Sequence, residues 1–327
     1  MAESVAPDGL IHAFLLDGSG GCSQLGWDEV QQWHPERGCL WLHFNFEEHE
    51  TVAWLENASG LNEIAVNALI SEETRPRTLN RGDNLLLALR GVNLSPGCEP
   101  EDMVSLRIWS DGKRLISTRR RKLVSTEDVI EELEAGSGPR NAAQLLVSWI
   151  DHVVLRMNDT IEQLEDEVLA LEERVLSGEI SGMRVQIAQL RKKTIFLRRY
   201  LAPQREAMTR LANENLSWLD EMNRLRLRET NDRQTRYIEE VDEIRDRAAL
   251  AQEELFTRVS EQMNERSYIF TVVATIFLPL GFFTGLMGIN VGGMPGVESH
   301  AAFWVVVAIC LGVTGGLALV LRFKRWL

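Results

Sequence analysis

YIFTVVATIFLPLGFFTGLM occupies residues 268–287, and GINVGGMPG, residues 288–296, follows it directly. Twenty residues at about 1.5 Å each cover the roughly 30 Å of a bilayer's hydrocarbon core, so the first stretch is predicted to be a transmembrane helix. Residues 301–321, AAFWVVVAICLGVTGGLALVL, form a second uncharged run of twenty-one. Two spans with a short connection make a hairpin. The connection, 288–300, holds no Lys or Arg, whereas Arg266 precedes the first span and Arg322, Lys324 and Arg325 follow the second. Basic flanks stay on the cytoplasmic side. Both termini are therefore predicted in the cytoplasm of a bacterial-type inner (plasma) membrane, with the GIN loop outside.

Upstream, the texture is that of long helices. Between Met183 and Leu280 there is no glycine and only two prolines, Pro203 and Pro279, while apolar residues recur at steps of three and four. The last helix is predicted to start near Ser217 and to run through Ile238, Val241, Ile244, Ala248, Leu255 and Val259 into the first span. At 1.5 Å per residue it would be on the order of 100 Å long. Residues 141–267 thus read as a helical stalk. Residues 1–140 differ: WLHFNF (41–46), NLLLALRGVNL (84–94), MVSLRIWS (103–110) and RLISTRR (114–120) are strand-like, with turn signals between them and helical runs at 51–58 and 62–72. The expected architecture is an α/β cytosolic domain over 1–140, a long helical stalk over 141–267 and a two-helix transmembrane hairpin over 268–327.

Composition narrows the function. The 327 residues carry a net charge of −13, which argues against nucleic acid as a partner and fits cations. Four cysteines, Cys22, Cys39, Cys98 and Cys310, form no CxxC pair, so neither a disulfide framework nor a thiolate zinc site is signalled. The N-terminal stretch lacks the basic lead and apolar core of a signal peptide, and the bulk of the chain is expected to stay on the cytosolic side. No P-loop, GxGxxG, HExxH or nucleophile triad is present, so an enzyme is not expected and no cofactor is implied.

Within the first span, alternate steps of four and three from Ser267 collect Thr271, Ala274, Leu278, Gly281, Gly285 and Gly288, a stripe of mostly small residues. Two readings fit it. Gly281-xxx-Gly285 is a small-xxx-small pattern that lets helices pack closely. Alternatively, the stripe lines a water-filled pore in which glycine leaves carbonyls accessible, and since two helices enclose no pore, this requires several copies around an axis. A membrane-anchored coiled-coil scaffold would account for the stalk and hairpin but supplies no reason for the stripe or the GIN turn.

Gly288-Ile289-Asn290 after an apolar span, then Met294-Pro295 and a closing span ending in basic residues and Trp326-Leu327, resembles the Gly-Met-Asn signature of the CorA metal ion transporter family. VGGMPG, in place of the acidic loop of the magnesium members, is similar to the ZntB-type zinc-transporter branch. Thr74-Arg75-Pro76-Arg77, Ser117-Thr118-Arg119 and Arg199-Tyr200-Leu201-Ala202-Pro203-Gln204-Arg205 also match that branch. The resemblance implies a homopentamer whose pore is lined by the first span at Leu278, Gly281, Gly285 and Asn290. It implies a divalent cation as cargo, zinc first, with a magnesium or cobalt channel of the same family as the alternative.

A pore without carboxylates, thiols or imidazoles admits a divalent ion with its water, touched by carbonyls and amides. Asn290 adds a dipole at a helix C-terminus, where the last carbonyls already carry partial negative charge; its other reading is a helix-terminating residue tolerant of left-handed geometry. Zinc prefers nitrogen and sulfur ligands. The only such candidate near the mouth is His300, which reads equally as a solvent-facing loop histidine. His43 and His49 flank Glu47, Glu48 and Glu50, a metal cluster or a solvated loop. In a symmetric stalk Glu239, Glu240, Asp242, Glu243, Glu253 and Glu254, with Glu261, could form cation-attracting rings; in a lone helix they are a solvated face balanced by Arg245, Arg247 and Arg258. Neither span contains an ionisable side chain of Asp, Glu, Lys, Arg or His, so no proton relay is encoded in the membrane. Import and export both remain open at this point.

Overall fold

The computed structural model describes residues 6–72, 75–289 and 300–323. The chain divides into two compact units, Met1–Gln252 and Glu253–Leu327. The first is built on a sheet of seven strands, β1 (Leu10–Leu16), β2 (Cys22–Gln24), β3 (Leu40–Asn45), β4 (Arg77–Arg81), β5 (Asn84–Gly91), β6 (Val104–Ser110) and β7 (Arg114–Arg119). Their spatial order is β2-β1-β3-β7-β6-β5-β4, and only the central β3–β7 pair is parallel. All seven residues of β6 are buried. A strand covered on both faces reads as a continuous apolar run, which is why the four central strands were legible and the peripheral β1, β2 and β4 were not.

Paired residues share a sheet face, and the register sorts the core into two layers. Leu42, Phe44, Trp109 and Ile116 lie on one face, packed with Trp27 and Val30 of α1 (Trp27–Gln31), Leu55 of α2 (His49–Asn57), and Val66 and Leu69 of α3 (Glu63–Ile70). Trp41 and His43 lie on the other, with ring centroids 5.0 and 5.7 Å from Trp149 of α5 (Ala142–Leu155). The helix α4 (Val124–Glu134) joins α5 on that side. Side-chain caps start α3 and α5: Asn62 accepts from the Ala65 N–H at 2.8 Å, and Asn141 from the Gln144 N–H at 2.9 Å.

Three long helices follow, α6 (Asn158–Leu176), α7 (Met183–Asn213) and α8 (Glu221–Met287), and α9 (Ala302–Phe323) closes the described chain. The sheet holds α7 through polar locks: Thr78 donates its hydroxyl to the Ala207 carbonyl at 2.7 Å, and the Arg90 N–H donates to Gln204 Oε1 at 2.7 Å. Pro203 sits inside α7 and has no N–H to give back; Leu201, Ala207 and Met208, buried on either side, keep the helix running.

The helix expected from near Ser217 begins at Glu221 instead, because Ser217 and Trp218 are bound elsewhere. Ser217 donates both its N–H and its hydroxyl to the Asp83 carboxylate at 2.8 Å, and Trp218 donates its indole N–H to the Asp83 carbonyl at 2.8 Å. The Trp218 ring also lies over Gly112 in the β6–β7 turn, at φ +83°, where an added Cβ would land inside the indole. Gly112→Ala therefore combines a left-handed backbone that alanine disfavours with an overpacked contact, and should destabilise the unit by about 2–4 kcal/mol. Thermal unfolding of the purified protein in detergent reads this as a lowered midpoint; an unchanged midpoint would contradict the contact.

Candidate functional site

In the second unit α8 continues unbroken to Met287, and past it Gly288 closes the helix by donating its N–H to the carbonyls of Thr284 (3.0 Å) and Gly285 (3.1 Å). The 3.6-residue period of that helix puts Leu278, Gly281 and Gly285 on one strip of its surface. Leu278 is 77% exposed, and a Cβ built on Gly281 or Gly285 would meet nothing within 4 Å. Ile289 is exposed, His300 is exposed just before α9, and Asn290 lies outside the described residues, as do 291–299. Exposure extends round the helix and onto α9: Phe270, Phe277, Phe282, Phe303 and Trp304 all present their rings. Both helices are long and apolar enough to cross a membrane.

The polar groups of this span are few and local. Thr271, Thr275 and Thr284 donate their hydroxyls to the carbonyls of Ser267, Thr271 and Leu280 at 2.7–2.8 Å. Pro279 stands where an N–H would otherwise meet the Thr275 carbonyl, so that oxygen has no helical donor. In hydrocarbon an unpaired carbonyl costs several kcal/mol, and it is tolerated where it meets water or another donor. What the segment can offer a cation is therefore carbonyl and hydroxyl oxygen, which suits a hydrated ion.

The six acids of the stalk are unlike one another in their surroundings. Asp242 is held by Arg198 of α7 at 2.6 Å and by Arg245 at 3.2 Å, and Glu254 by Arg258 at 2.7 Å. Glu239, Glu243 and Glu253 are exposed. Glu240 is half-buried, and its carboxyl is pushed up first by burial and then by the charge of Glu165. Arg247, expected to balance this face, instead pairs with Glu172 of α6 at 2.6 Å.

The His43 and His49 cluster does not assemble. His43 is wholly buried in β3, its Nδ1 2.8 Å from Ser117 Oγ, while Glu47 pairs with Arg120 and Glu50 accepts from the Asp8 N–H. Among the described residues no three His, Cys, Asp or Glu side chains form a metal-binding group. Sequence reasoning put His43 on one face of a strand, and α5 buries that face. The half-buried His12 stacks on it at 6.1 Å. Burial pushes both imidazoles down, His43 well below its usual value, so both are neutral in the folded unit at pH 7. Above about pH 6.5 they are neutral in the unfolded chain too; below it the unfolded chain binds protons that the fold refuses, so the wholly buried His43 removes up to about 1.4 kcal/mol of stability per pH unit and the half-exposed His12 less. The thermal midpoint should thus fall between pH 6.5 and 5, and more gently in His43→Gln; parallel pH profiles for the two proteins would refute this.

Residues 36–325 match the family described as CorA-like Mg2+ transporter protein. The chain is 41% identical to the divalent cation transporter CmaX of Pseudomonas aeruginosa, over 99% of both chains. It is 35% identical to the zinc transport protein ZntB of Yersinia enterocolitica, over 97% of this chain and 96% of that one. Among solved structures, full-length CmaX superposes with a TM-score of 0.86 at 39% identity, covering 99% of this chain and all of the other. The magnesium transporter CorA of Methanocaldococcus jannaschii superposes at 0.83 with 18% identity, covering 97% of this chain and 99% of that one, a likeness of fold. A family match over most of the sequence and two relatives aligned nearly end to end show that this chain belongs to the CorA-like Mg2+ transporter family, as a divalent-cation transporter and not an enzyme.

Proposed function

We propose that the chain assembles as a homopentamer in the inner membrane and conducts zinc through an axial pore lined by the membrane part of α8. In this reading residues 1–140 are the cytosolic α/β domain, 141–267 the stalk, and 268–327 the hairpin with both termini in the cytoplasm. Leu278, Gly281 and Gly285 line the passage, Gly288-Ile289-Asn290 forms its outer mouth, and His300 stands beside it. Of the six acids, the exposed Glu239, Glu243 and Glu253 draw cations toward the cytosolic end with Glu240 beside them, while Asp242 and Glu254 are already paired with arginines. The observation that carries this is the strip on α8 at Leu278, Gly281 and Gly285, open and free of charge, with the Thr275 carbonyl released by Pro279 nearby. A hydrated divalent ion passes such oxygens without being trapped, since weak multiple contacts permit exit.

Support for zinc over magnesium comes from Gly296, where the magnesium members carry an acid, and from the similarity to the ZntB protein. A magnesium or cobalt channel is the second reading, favoured by the family's description. Uptake into liposomes carrying the purified protein separates them. Zinc flux should persist in about tenfold excess magnesium, since Gly296, in place of the magnesium members' acid, removes a charged contact that would draw a strongly hydrated Mg2+. Zinc flux abolished by that excess would establish the second reading.

A further inference from the structure

Two helices of the first unit carry opposite charge. α6 holds seven Asp and Glu against one Arg, and α7 holds eight Lys and Arg against one Glu, so their signs are opposed along their whole length. Steps of three and four collect Asp159, Glu162, Asp166, Leu169, Glu173 and Leu176 into one stripe on α6, opposite its buried Leu164, Val168 and Leu171. The same steps collect Val185, Ala188, Lys192, Ile195 and Arg199 on α7. Every residue of both stripes is exposed. Leu169 and Leu176 are 49% and 65% exposed, Val185 and Ile195 61% and 56%, so apolar side chains stand in the open at regular intervals on both helices.

Within one chain the two stripes do not pair. α6 and α7 join through Glu167 and Lys193 at 2.8 Å, which lie off both stripes. Asp166, Glu173 and Lys192 make no ion pair among the described residues; Glu99 and Glu101 share a cleft with Lys192 without pairing to it. On α8, Arg247 takes Glu172 of α6 at 2.6 Å and Asp242 takes Arg198 of α7 at 2.6 Å. Being five residues apart, these contacts set α6 and α7 on flanks of α8 about 140° apart. The exposed Glu239 and Glu243 fall on the open arc between them.

We propose that the α6 stripe of one copy packs on the α7 stripe of the next, which rests on the pentameric reading and names the faces that close it. A second copy is the occupant because an acid-and-leucine face complements a base-and-isoleucine face and neither complements itself. Such a contact between unlike faces of identical chains repeats head to tail and closes a ring. In that ring α8 stands between the two contacts, with Glu239 and Glu243 toward the axis. Exposed ion pairs add little stability, so the apolar residues hold the contact and charge decides which face meets which. Rotation about the stalk axis leaves height unchanged, and Glu167 and Lys193 mark one height, so Leu169 and Ile195 of neighbouring copies come within about one helical turn.

Cysteine cross-linking of the full-length protein in detergent tests this. Leu169→Cys and Ile195→Cys are placed in one chain that also carries Cys98→Ser, which removes the exposed native thiol, and a short bifunctional maleimide is added. The expected result is a ladder of linked chains reaching the full oligomer, with at least about tenfold more linked chain than either single variant gives, because unlike faces meet. Glu173→Lys in the paired-cysteine protein should lower that yield about threefold or more. Mass measurement of the unaltered protein separates the two readings. A monomer would remove the pentamer and this contact together. An intact oligomer whose cysteine pair links no better than the single variants, or whose linking is unchanged by Glu173→Lys, would overturn this contact alone and leave the flanks to another occupant.

Discussion

Asn290→Ala is expected to lower zinc flux per assembled oligomer by about an order of magnitude or more, because in the proposed pore a ring of Asn290 amide oxygens at the mouth holds the incoming hydrated ion. The end of α8 is finished without it. Gly288 already caps the carbonyls of Thr284 and Gly285, and the Ile289 N–H reaches the Leu286 carbonyl at 3.4 Å. Truncating the next side chain therefore leaves the helix end intact while removing a dipole added to the partial negative charge of the last carbonyls. Asn290→Asp acts in the opposite direction on capture: a full charge per subunit tightens binding and slows release, so apparent affinity rises while maximal flux falls. Liposome uptake normalised to assembled protein measures both. Normal flux in Asn290→Ala would remove Asn290 from the mouth and leave it as a helix terminator.

Gly285→Val is expected to abolish most flux while leaving the oligomer whole. Within one chain the substitution is nearly free of contacts, since a Cβ at Gly285 has open space around it. By helix propensity valine is favoured over glycine by about a few tenths of a kcal/mol, so the fold of the protomer is not at issue. Whatever the valine does, it does to the lumen or to a neighbouring helix. In the proposed pentamer, five isopropyl groups in a passage sized for a hydrated ion would dehydrate and close it. If the strip served packing instead, the same groups would force the helices apart, and mass measurement in detergent would find monomers or dimers. An intact oligomer with undiminished uptake would exclude both the pore and the packing roles for this glycine.

What the sequence determined by itself is the part of this protein governed by one-dimensional rules. An uncharged run of twenty residues is long enough to cross a membrane as a helix, a form that satisfies its own backbone in hydrocarbon. A hundred residues without glycine must be long helices, and a double-sided apolar run such as β6 must be a central strand. The stripe of small residues on α8 follows from helical period, and the absence of an ionisable relay in the spans from composition. The tertiary structure decided everything that depends on who meets whom. β1, β2 and β4 are strands because neighbours in the sheet recruit them, not because their sequences insist. Ser217 and Trp218 leave the helix because Asp83, over 130 residues away in sequence, offers them better hydrogen bonds. His43, beside acids in sequence, is a neutral core residue because α5 covers its face of the sheet. Arg247 looked like a partner for its own helix and reaches α6. The physical reason is common to all four: local pattern fixes conformation and burial period, whereas charge pairing and desolvation arise from contacts across long stretches of chain.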